Sequence, residues 1–69
     1  MKREPNEIEP HEIAEAVRQA CIAAALAAYE DAGMNGLCHE GRWECSVDAM
    51  RALNVGAIVE QIENKRTSN

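Results

Sequence analysis

Phenylalanine is absent from the 69 residues, and there is one tryptophan and one tyrosine. A chain of this length buries only about 60% of the surface its unfolded form exposes. Without large rings, its core must come from aliphatic side chains and alanine. Small proteins make up such a deficit with disulfides, with a bound metal or by oligomerising.

Cysteine is too scarce for the first remedy. Cys21, Cys38 and Cys45 are an odd set and do not close a disulfide framework on their own. Long apolar runs are missing as well, since none reaches the roughly 18 to 20 residues of a membrane span. The stretch MKREPNEIEPHE carries no apolar segment of a secretory signal. These features lead us to expect a cytoplasmic protein with reduced thiols and no membrane partner.

Basic residues are also few, seven against twelve acidic ones, for a formal charge of -5. Lys2 and Arg3 stand at one end and Lys65 and Arg66 at the other, while Arg18, Arg42 and Arg51 are scattered among acids. Nucleic acid is therefore not an expected partner, because phosphate backbones are repelled unless cations gather on one face. No H-E-x-x-H, P-loop or G-x-G-x-x-G occurs, and so short a chain leaves little room for a concave substrate pocket. We expect no enzyme, no catalytic residues and no cofactor.

What is present is helical patterning. Residues 1–9, charged and with a proline, read as a mobile arm, residues 10–64 as a single helical domain, and residues 65–69 as a polar tail. Pro10 suits the first position of a helix, and Glu12 places a carboxylate in its first turn. From there Ile13, Ala16, Val17, Ala20, Cys21, Ala24, Ala27 and Ala28 follow the i, i+3, i+4, i+7 spacing of one helical face. Ile22, Leu26 and Tyr29 lie beside it. Between Ala20 and Tyr29 there is no charge at all, so the helix is apolar around most of its circumference, and its alanines allow close helix–helix approach. The helix should end near Ala32, with Gly33 as a left-handed cap.

A second helix is expected from about Glu40 to Leu53, with Trp43, Val47, Met50 and Leu53 on one face. Asn54 is a candidate cap for a short third helix over residues 55–64, and a single helix bent at Gly56 is the alternative. Arg51 has Asp48 within reach at i, i+3. The run EGRWECSVDAMRAL, residues 40–53, resembles the second helix of a tetratricopeptide hairpin, in which a glycine, an aromatic and a small residue precede a helical apolar pattern. The first helix lacks the matching glycine and aromatic positions, and no family membership is drawn from the likeness.

The expected fold is all-α: an antiparallel helical hairpin with a short third helix or bent extension, assembled as a homodimeric helical bundle. Ala20, Ile22, Ala24, Leu26 and Ala27 are the expected interface. Val17, Trp43, Val47, Met50 and Leu53 are the expected hairpin core, with Trp43 as its large anchor. Tyr29 is a second aromatic that could face a partner.

The stretch GLCHEGRWEC, residues 36–45, holds two cysteines, a histidine and the tryptophan. Its bland reading is a packed corner between helices, with Gly41 letting the second helix start close. The alternative is a metal-binding or thiol-sensing module using Cys38, His39 and Cys45, although the spacing matches no standard zinc knuckle. Cys38, just before a helix and beside His39, is the best thiol candidate, but Glu40 and Glu44 would disfavour its thiolate. The leading functional expectation is a small acidic interaction or regulatory module, pairing with itself and with an unidentified protein partner.

Overall fold

Pro10 opens the first element as the sequence predicts. In the computed structural model, which describes residues 9–67, Glu9 is extended and its carbonyl accepts the amides of Glu12 and Ile13. The three elements are α1 (Pro10–Met34), α2 (His39–Arg51) and α3 (Val55–Thr67), with no strand among the described residues. The expected arm lies outside the described residues except for Glu9. The helical backbone of α3 runs past the expected boundary at residue 64 as far as Thr67, and the last two residues of the expected tail lie outside.

The end of α1 differs from expectation in an instructive way. Gly33 stays helical and the chain turns at Gly36, the one described glycine with positive φ, at 84°. The Gly36 amide donates to the Gly33 carbonyl at 3.0 Å and the Leu37 amide to the Ala32 carbonyl at 3.0 Å. Those two bonds are the Schellman pattern that satisfies the last carbonyls of a helix. Asn35 reinforces it, its amide side chain donating to the Asp31 carbonyl at 2.9 Å.

Gly33 is needed for another reason. A Cβ there would come within 2.8 Å of the Arg42 guanidinium carbon, so the missing side chain makes room for an arginine laid across the helix. Gly41 has a similar role at the start of α2. A Cβ at that position would meet the Leu37 side chain at 3.1 Å.

Residues 52–54 separate α2 from α3, so the bent single helix is not what forms. Asn54 caps α3 as predicted, its Oδ1 accepting the Ala57 amide at 3.0 Å, which satisfies one of the amides a helix start leaves open. α3 touches α1 and not α2, whereas α1 and α2 meet along much of α2. Tyr29 meets His39, Gly33 meets Arg42 and Ala25 meets Ser46. The start of α2 thus meets the last turns of α1, and Ser46, further along α2, meets Ala25.

The α1–α2 seam is built of small groups. Among the described residues Ala32 and Ser46, each 4% exposed, are the buried ones, and no large side chain is fully buried. The Ser46 hydroxyl donates to the Ala25 carbonyl at 2.9 Å, which requires the two backbones to run close together. That closeness corrects the expected core. Trp43 is 59% exposed, because an indole between helices this near would hold them apart. Arg42, Cys45, Ser46, Ala49 and Met50 are the half-buried to buried positions of α2 on and around the seam, Leu53 is half-buried just beyond the helix, and Val47 is half-buried at the seam's margin.

Candidate functional site

Two places in the molecule hold the residues the sequence singles out: the α1–α2 corner and the broad sides of the α1–α2 layer. At the corner, Arg42 is the organising side chain. Its Nε donates to the Leu37 carbonyl at 3.2 Å, its guanidinium carbon stands 5.5 Å from the Tyr29 ring centroid, and it lies across Gly33. A cation over an aromatic face is attracted by the ring quadrupole. Tyr29 also holds His39: their side chains share a hydrogen bond of 2.9 Å between Oη and Nδ1, with the rings edge to face.

This geometry decides how GLCHEGRWEC is arranged. Cys38 is the exposed residue preceding α2, His39 is its first residue with Nδ1 engaged by Tyr29, and Cys45 is half-buried further along the same helix. Seven residues of helix rise by about 10 Å, so Cys38 and Cys45 cannot share one tetrahedral ion, whose ligands lie about 2 Å from it. Among the described residues no group of three His, Cys, Asp or Glu side chains is placed to hold a metal. The metal reading of Cys38, His39 and Cys45 is therefore not supported by their placement.

The broad side of the layer is more informative. Residues of an α-helix are about 100° apart, so Ile22 and Leu26 stand about 60° and 100° around α1 from Ala25. Trp43 and Val47 stand at the same about 60° and 100° around α2 from Ser46, and Ala25 and Ser46 touch. When contacts along two right-handed helices run in opposite directions, equal rotations lead to the same side of their common plane. On that geometry the four side chains lie toward one side of the α1–α2 plane, with Leu26 and Trp43 in separate depressions.

Ile22 is 47% exposed, Leu26 60% and Trp43 59%. Leu26 joins Tyr29, Glu30, Gly33, Met34 and Arg42 around one open depression of about 580 Å³. Trp43 joins Glu44, Val47, Asp48 and Arg51 around another, of about 320 Å³.

The expected interface residues divide between two sides of α1. Ile22, Leu26 and Ala27 are exposed, whereas Ala20 and Ala24 turn to the opposite flank, where they are half-buried together with Val17. Ala24 is thus part of the folded chain's own packing and not simply free surface. Ser46 and Arg42 are not among the expected site residues. Their signal was the spacing Arg42, Ser46, Ala49 and Leu53, a heptad-like series of fours and threes, obscured by the bulkier Trp43, Val47 and Met50 beside it.

Electrostatic features of the layer are mild. Arg18 pairs with Glu15, and Arg51 with Asp48 at 4.0 Å. The Glu15 carboxyl is held below its ordinary value of 4.5, first by the hydrogen bond from Gln19 and then by that from Arg18. No helix among the described residues is long and apolar enough to cross a membrane. Compared with models of known protein families, with curated proteins and with solved structures, the chain matches none.

Proposed function

We propose that this protein is a small acidic helical interaction module, an antiparallel α1–α2 hairpin with α3 at its side, that completes its core by pairing with a second copy. On this reading it carries out no chemistry itself and works in the cytoplasm by presenting the assembled bundle to a further protein. The observation that carries the reading is the inverted packing: an alanine and a serine are buried while Ile22, Leu26 and Trp43 face solvent.

Size points the same way. The chain exposes 5508 Å², where a compact monomer of its 7.6 kDa would expose about 4300 Å². Its radius of gyration is 15.9 Å, against about 11 Å for a compact domain of this length. Stable domains enclose a core of large side chains, and here Ile22, Leu26 and Trp43 remain exposed.

Sedimentation equilibrium at low micromolar concentration tests this. A dimer is expected, and replacing Leu26 by glutamate should return it to monomer. A monomeric wild-type chain that unfolds cooperatively would refute the proposal.

A further inference from the structure

We infer that the open face is self-complementary and receives a second copy of this chain turned end for end, α1 along the partner's α1 and α2 along the partner's α2. The inference rests on the dimer reading above and specifies which surface is shared and in which direction.

Area is the first support. A stable interface removes about 800 Å² from each partner, with obligate dimers burying more, and the chain as a whole exposes more surface than a compact monomer of its mass. Ile22, Leu26, Trp43 and Val47 lie on the open side, and Val17, Ala20 and Ala24, on the other flank of α1, are already half-buried. The large exposed side chains Ile22, Leu26 and Trp43 are thus on the side away from Val17, Ala20 and Ala24.

Charge fixes the direction. Arg18 precedes Ala25 in α1 and Arg51 follows Ser46 in α2, so both arginines stand at the end of the layer away from the corner. Glu30 and Glu40 stand at the corner end, each exposed. A second copy stacked in the same direction would lay Arg18 over the partner's Arg51 and Glu30 over the partner's Glu40. The acids meet at the corner end, and the two arginines meet at the other end beside their partners Glu15 and Asp48. Turned end for end, Arg18 comes opposite the partner's Glu30, and Arg51 opposite the partner's Glu40.

The twofold axis then passes near the level of Ala25 and Ser46, which brings Ile22 to the partner's Leu26 and lays Trp43 against α2 of the partner subunit. Such a contact is isologous and closes as a dimer. The pairs Arg18–Glu15 and Arg51–Asp48 do not oppose this, because their side chains are exposed and exposed pairs hold weakly. Arg42, the cation at the corner end, is already held by Tyr29 and the Leu37 carbonyl. α1 has no basic residue of its own in its last turn, and a partner running the other way brings Arg18 toward that negative end.

The test uses the full chain with Cys21→Ala, Cys38→Ser and Cys45→Ala, carrying either Gln19→Cys or Glu30→Cys. The two variants are mixed and oxidised, and the products are identified by mass. End-for-end pairing yields chiefly the mixed species, position 19 of one copy linked to position 30 of the other. Overturning results are links of each variant to its own kind, or no link of either sort in a chain that sediments as a dimer.

A wild-type monomer would instead remove the dimer reading itself. Charge reversal in the chain with its native cysteines gives a second reading that does not depend on the cysteine-free background. Arg18→Glu and Glu30→Arg should each weaken the dimer several-fold and restore it when combined. A double variant as weak as the two losses together would also overturn the inference.

Discussion

The two sides of α1 differ in the size of what they carry. Toward α2 the helix offers alanines, and the contact at Ser46 is close enough for a side-chain hydroxyl to reach a backbone carbonyl. Toward the open face it offers Ile22 and Leu26, and α2 adds Trp43 on the same side. Small residues inside and large ones outside reverse what a self-sufficient domain shows. Close packing of two helices and closure of a core are thus separate tasks in this chain, one solved within the monomer and the other left to its surface.

The comparison can be broken most severely from the open side. Ile22→Glu combined with Leu26→Glu should raise the dimer dissociation constant by at least about 100-fold, since central apolar anchors dominate an interface. Analytical ultracentrifugation measures it, and helix content at high concentration should change little. An unaltered constant would show that this face is not shared.

The covered side should answer to size instead. Ser46→Leu, which forces a branched side chain between the two backbones, should cost about 1–3 kcal/mol as overpacking, read by thermal unfolding. Ser46→Ala, losing one hydrogen bond, should cost only about 1 kcal/mol. A Leu variant as stable as the Ala variant would mean that the seam is looser than the Ser46–Ala25 contact implies.

At the corner, Gly36→Ala should cost about 1–2 kcal/mol, because φ of 84° is strained for an L side chain. Gly33→Ala should cost less. Alanine favours the helix by about 1 kcal/mol over glycine, and the group it meets is the flexible end of Arg42. If the two substitutions were equal, Gly36 would not be the turn's special position.

The smallest expected effect belongs to Glu15, whose carboxyl is depressed by Gln19 and Arg18. A depressed carboxylate adds stability that is fully present above its ordinary value of 4.5 and is lost as pH falls through its lower folded value. Glu15→Gln should flatten the stability profile only in that acidic window, by an amount limited by full exposure. Denaturant titrations on either side of it would detect the difference.

Much of the architecture was legible because it depends on local rules. Pro10 at the helix start, Asn54 as a cap and the three-helix content follow from backbone chemistry that acts within a few residues. The choice between Gly33 and Gly36 was less legible, since either glycine can take positive φ and the decision rests on Arg42 arriving from α2. Trp43 was misplaced for a related reason. When a helix is apolar around most of its circumference, hydrophobic spacing does not say which flank turns inward. The small volume of Ala25 and Ser46 decides it, and favours the side where backbones can approach over the side with the largest residue.

Trp43, the sole tryptophan, is a built-in reporter for the face proposed to be shared. Acrylamide quenching of its fluorescence should be measured across a dilution series from high to sub-micromolar concentration. The account predicts that quenching weakens and emission shifts to the blue as concentration rises and the second copy covers the indole. A tryptophan equally open to quencher over a range in which the chain sediments as a dimer would contradict it.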